Sequence, residues 1–173
     1  MHFSTTSDTL VIIAGASEHP SCTQLGSMRT ARNSALAVRD YFLSSDGMYI
    51  SHNNLCWLFD KDLSAPNQLK HISDFLDKTS GHSGDVFFYY IGHGWVDAKN
   101  ELYLSINETN ARVGEAPTSL STRSIAKLLN RVASKKRVIV ILDCCFAEAG
   151  RASFENPQFS LRDTETRGDR GLT

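Results

Sequence analysis

A histidine between two glycines, Gly92-His93-Gly94, ends one apolar run of the chain, and an aspartate with two adjacent thiols, Asp143-Cys144-Cys145, ends another. An imidazole beside a thiol is the pairing that makes cysteine a nucleophile near neutral pH. A free thiol titrates near ~8.5, and a neighbouring imidazolium lowers that by several units. The glycines have a reading of their own. Without a Cβ, Gly94 lets the backbone approach a substrate closely, and its N–H, together with that of Cys145, is aimed at a developing oxyanion. Removing one such donor typically costs ~10²–10³ in rate.

Both groups need rigid elements that deliver them to one place. Residues 138–142 (VIVIL) form a short apolar run, mostly β-branched, which reads as a strand buried on both faces. Residues 9–14, 55–59 and 86–91 read as three more such strands. Amphipathic helices alternate with them. Met28, Ala31, Ala35, Val38 and Phe42 recur at spacings of three and four, as do Leu69, Ile72, Phe75 and Leu76 after Ser64-Ala65-Pro66. Ser121 or Thr122 caps a third helix, with Ile125, Leu128, Leu129 and Val132 on its buried stripe. Residues 101–106 alternate apolar and polar, which predicts a short half-exposed strand in a small hairpin, followed by a polar loop over 107–117. The pattern is that of an α/β domain: a mainly parallel central sheet covered by helices. In such sheets, ligands sit at the carboxyl ends of the strands, where His93 and the two thiols stand. From Glu148 onward charged and polar residues dominate, no period is visible, and the tail reads as an exposed linker.

Composition narrows the function. The net charge of -1 offers no basic excess for nucleic acid or an anionic membrane. No run approaches the ~20 apolar residues of a membrane helix, and the N-terminus lacks the basic region of a signal peptide, so a cytoplasmic, reducing location is expected. Cys22, Cys56, Cys144 and Cys145 show neither a disulfide framework nor zinc spacing, and no metal or other cofactor is expected, a calcium requirement being left open. His82 precedes the third strand and so falls at the opposite end, ~20 Å from the active edge. His2, His19, His52 and His71 have no motif context and read as surface residues.

YYIGHG at positions 89–94 and LDCCFAEAG at 142–150 together resemble the paired signatures of caspase-like cysteine peptidases: caspases, metacaspases and paracaspases. His93 stands 52 residues before Cys145, close to the ~50 of caspases. The Asp-x-Cys pattern is closer to metacaspases and bacterial caspase-like proteins. The resemblance implies a three-layer α/β/α fold, with a catalytic large-subunit domain over 1–150. It makes Cys145, rather than Cys144, the nucleophile, His93 the general base and acid, and Gly94 an oxyanion donor. It also places Asp143 in the pocket for the residue before the cut, favouring Arg or Lys there. Asn33-Ser34 stands where metacaspases carry Asn-Asp, so half of that acidic pocket is missing. Arg29 and Arg32 lie near the arginine by which animal caspases bind aspartate. Trp95 follows the catalytic loop and is a candidate for the groove wall.

Relatives have two further strands, so residues 151–173 are read as a linker and the start of a missing small-subunit half, with Arg151, Arg162, Arg167 and Arg170 as basic cut candidates and Asp163 and Asp169 as acidic ones. The expected activity is that of a cysteine endopeptidase acting on a protein or peptide. The expected partners are that substrate and the missing half. A catalytically inactive caspase-like interaction module is the alternative.

Overall fold

The computed structural model describes residues 7–78, 81 and 83–154. In chain order the elements are β1 (Leu10–Gly15), α1 (Arg29–Leu43), β2 (Leu55–Trp57), α2 (Ala65–Lys78), β3 (Val86–Ile91), β4 (Gly94–Val96), β5 (Leu102–Leu104), α3 (Glu115–Thr118), β6 (Leu120–Ser121), α4 (Thr122–Ala133), β7 (Val138–Asp143) and α5 (Ala147–Phe154). Four strands form a parallel sheet in the order β2-β1-β3-β7, and three short ones form an antiparallel sheet, β4-β5-β6.

The register of the main sheet decides which side chain goes where. Leu10 pairs with Val86 and Val86 with Val138, and the three strands stay in step to Gly15, Ile91 and Asp143. Laterally paired residues share a face and neighbours in sequence do not. Even-numbered residues of β1 and β3, such as Ile12, Phe88 and Tyr90, therefore pack with Ile72 and Leu76 of α2, Ile125 and Leu129 of α4, and Phe154 of α5. Odd-numbered ones, such as Val11, Ile13 and Tyr89, pack with Ala31, Ala35 and Phe42 of α1. This is the expected α/β architecture, with helices over both faces of a parallel sheet. Helices α1, α2 and α4 each bury the stripe their spacing predicts, and the Ser121 hydroxyl caps α4 by accepting from the Ser124 N–H at 3.4 Å.

Two expectations fail. The strand at 138–142 is not buried on both faces: Val140 and Leu142 are half-buried, while Ile141 is 45% exposed. β7 is the sheet's edge among the described residues. On its odd-numbered side the covering helix is α1, which lies against β1 and β3. The second failure concerns the tail. Residues 147–154 are helical rather than linker, and Phe154 is 3% exposed in the core. The helix docks largely through Ala149, Gly150 and Phe154, while the Thr122 and Ser153 hydroxyls lie 2.9 Å apart. Small residues give a weak periodic signal, and the charged ones among them mask it. Phe154→Ala is expected to cost about 3–5 kcal/mol in urea unfolding; a loss under about 1 kcal/mol would mean that α5 does not close this core. The remaining linker and cut candidates, Arg162, Asp163, Arg167, Asp169 and Arg170, lie outside the described residues, as do His2 and His82.

The hairpin expectation fares better. Leu102, Leu104 and Ile106 are fully buried on one side of β5, and Tyr103 faces the other. The polar loop after it contains α3, and β6 adds a third strand.

Candidate active site

The chain runs from β1 outward to β2, then returns past β1 to β3. Connections diverge between the carboxyl ends of β1 and β3, which opens the crevice that doubly wound sheets use. Ile91 pairs with Asp143, and the Gly92 N–H donates to the Asp143 carbonyl at 3.2 Å, carrying the ladder one step beyond the strands. His93 and Cys145 are each two residues past that last pair, so the register brings them to the same edge.

Alternation separates the two thiols. Cys144 continues the even-numbered face and packs against the core, and burial pushes its thiol up to about 12. It is a protonated, packed side chain at neutral pH. Cys145 is exposed. Gly94 is what lets this turn close. A Cβ on it would stand 2.5 Å from the Cys145 carbonyl oxygen and 3.0 Å from the Cys144 sulfur. The close approach that needs glycine here is thus the protein's own backbone, ahead of any substrate.

His93 is pinned from both ends. Its carbonyl accepts from the Ser105 N–H at 2.9 Å and lies 2.7 Å from the hydroxyl of buried Tyr90. Its ring Nε2 is 2.9 Å from the Gly26 carbonyl oxygen. A carbonyl can only accept, so Nε2 carries a proton, and in the neutral ring the lone pair is therefore on Nδ1. Gly26 belongs to the β1–α1 loop, whose neck is closed by the Met28 N–H donating to the Ser17 carbonyl at 2.8 Å. Ser17 is itself clamped to Asp60 at the end of β2, through its N–H at 2.6 Å and its hydroxyl at 2.8 Å. Below this, Gly15 takes φ +137° under the Ile91 carbonyl, where any Cβ would collide with that oxygen. The orienting partner of His93 is a backbone carbonyl, for which residue types carry no signal.

A comparison with protein-family models matches residues 10–170 to the caspase domain of peptidases. The chain belongs to the caspase domain family. A search of curated proteins finds no match. The caspase domain match spans both strand ends that carry His93 and Cys145, and it includes the β1–α1 loop.

His19 corrects the sequence reading. It was expected at the surface, yet it is 4% exposed, and its ring lies 5.4 Å from that of His93, tilted by 57°. The β1–α1 loop, tied to Asp60 through Ser17 and to His93 through Gly26, sets the His19 ring beside that of His93. Its position four residues past β1, at the same sheet edge as His93, was the available signal. His52 and His71 are exposed, as expected.

The remaining candidates of this caspase domain stand as follows. Asp143 is exposed, and its Oδ2 accepts from the Tyr89 hydroxyl at 3.3 Å. Burial, and then Asp143, push Tyr89 up to about 12. Arg29 and Arg32 are exposed at the start of α1, with Asn33 exposed beside them and Ser34 half-buried. Trp95 pairs with Tyr103 across β4 and β5 and stacks flat on it, centroids 4.8 Å apart. Among the described residues, no group of three or more His, Cys, Asp or Glu is placed to hold a metal ion, and no helix is long and apolar enough to cross a membrane.

Proposed function

We propose that this caspase domain is a cysteine endopeptidase in which Cys145 is the nucleophile and His93 the general base and acid. The supporting observation is the bond from His93 Nε2–H to the Gly26 carbonyl, because it leaves Nδ1 as the ring's free base. In the proposed reaction Nδ1 takes the Cys145 proton, and the thiolate attacks the scissile carbonyl. The Gly94 and Cys145 N–H groups hold the oxyanion. The imidazolium then protonates the leaving amine as the C–N bond breaks. Water, deprotonated by His93, hydrolyses the thioester and regenerates the thiol.

Specificity is proposed to favour Arg or Lys before the cut. Asp143 supports this, as an exposed carboxylate at the site's edge. Arg29 and Arg32 are the cations that would instead favour Asp. The groove is proposed to be completed by chain pairing along the edge of β7, which is unpaired among the described residues, the role expected of a small-subunit half. Self-cleavage would fall at Arg162, Arg167 or Arg170 rather than at Arg151, which lies within α5. A reducing compartment such as the cytoplasm suits a chain whose four cysteines, Cys22, Cys56, Cys144 and Cys145, are free thiols.

A fluorogenic peptide panel with Arg, Lys or Asp before the bond tests the proposal. Basic peptides are expected to be cleaved at least ~10-fold faster than the Asp peptide. An Asp preference would overturn the role given to Asp143. No cleavage of any peptide by the protein with its proposed second half supplied would overturn the peptidase reading in favour of an inactive interaction module.

A further inference from the structure

His19 presents an anomaly. It is a buried imidazole, and neither ring nitrogen has a hydrogen-bond partner among the described residues. A neutral histidine carries one donor and one acceptor, and buried polar atoms are almost always paired. Neither of the carboxylates that act on it bonds either ring nitrogen. Both carboxylate oxygens of Asp60 accept from Ser17, and Glu18 accepts from the Ser27 hydroxyl at 2.6 Å. The neighbour that remains is the His93 ring, 5.4 Å away centre to centre.

We propose that His19 is a positioning residue for His93, a buried imidazole packed beside its ring whose unpaired nitrogen lone pair supports the positive charge that His93 gains when it takes a proton. This rests on the dyad reading above. Nε2–H of His93 is already committed to the Gly26 carbonyl. Protonation adds a second N–H at Nδ1 and a full charge to a ring walled on one side by His19. An acceptor facing a cation favours the charged form. That charge is assigned to His93, and His19 is left neutral. The groups facing His19 agree with this division. Burial and His93 push it down to about 4, against the opposing pull of Asp60 and Glu18. An imidazolium favoured on His93 lowers the pH at which Cys145 becomes a thiolate.

The test is the pH dependence of Cys145 alkylation by iodoacetamide, followed by mass spectrometry on the full chain. It needs no peptide substrate. His19→Phe keeps an aromatic ring and removes the lone pair. It is expected to raise the alkylation midpoint by about 0.5–1 pH unit and to slow alkylation about three- to tenfold at pH 6, with no change at pH 9. His19→Asn, which restores an acceptor, is expected to bring the midpoint back toward that of the unaltered protein. A ring that merely filled space would leave the midpoint unmoved in the phenylalanine variant, and that result overturns the proposal. If His19→Phe does not fold by thermal melting, His19→Leu, which also lacks the lone pair, takes its place: a raised midpoint supports the proposal, and an unmoved one overturns it. His93→Ala also separates the two readings. If it shifts the midpoint and His19→Phe does not, only this inference fails, whereas if neither shifts it, the dyad itself fails.

Discussion

Cys145→Ala is expected to abolish both peptide cleavage and labelling by a thiol-reactive peptidyl probe, a loss of at least ~10⁴-fold, while Cys144→Ala keeps activity within about threefold. The asymmetry follows from the alternation of β7. Cys144 extends the even-numbered face and packs with Val138, Val140 and Leu142 against the helical layer. With its thiol pushed up to about 12, it is almost wholly protonated at neutral pH. The thiolate is the nucleophile, so a buried thiol of this kind competes poorly even though it is the immediate neighbour. Cys145 lies on the other parity, exposed, beyond Asp143. His93→Ala is expected to lower probe labelling of Cys145 near neutral pH without redirecting it to Cys144. Equal labelling of the two cysteines would mean that the turn opens in solution and that strand parity does not choose the nucleophile.

The same parity explains why so much of the site was legible. A run such as VIVILDCC names a strand, its carboxyl end and the alternation of its last residues, and HG after VFFYYI names a second strand end. Two parallel strands in register then leave little freedom in where His93 and Cys145 stand. Burial of each strand was less legible, because it depends on what covers the strand. β7 has the composition of a central strand, yet α1 lies over β1 and β3 and leaves Ile141 bare. The helix at 147–154 was missed for a related reason. Its docking face is built of small residues, and Phe154 is one large anchor at the end of a charged stretch.

His19 and Gly26 were illegible for different reasons. Gly26 acts through its carbonyl, which every residue possesses, so its identity says nothing of the bond to His93. His19 has a side chain that sequence reasoning can weigh, but its burial follows from how the β1–α1 loop closes. That closure is set by Ser17 reaching across to Asp60, 43 residues away. A loop anchored at a distant strand end has no local period to reveal it. Residue type alone therefore singled out the groups proposed to do chemistry, while long-range hydrogen bonds decide which groups surround them.

Gly94→Ala is expected to combine the two failures of a site like this one, lowering stability by about 1–3 kcal/mol and activity by ~10²-fold or more. Its new methyl would stand 2.5 Å from the Cys145 carbonyl oxygen, a backbone atom with no rotamer to escape into. The Cys144 sulfur at 3.0 Å blocks the alternative direction. Relief therefore requires the β3–β4 turn to separate from the turn after β7. That movement pulls on both reactive residues, since His93 immediately precedes Gly94 and is held through its carbonyl by Ser105 and Tyr90. The alanine N–H also leaves the position proposed for the oxyanion. Cys144→Ala removes the sulfur but leaves the carbonyl clash, so the double variant is expected to recover stability in part and activity hardly at all. Urea unfolding together with peptide cleavage checks this. A Gly94→Ala protein of unchanged stability and activity would show that the two turns are not in contact. Full recovery of activity in the double variant would place the constraint at the sulfur instead of the backbone.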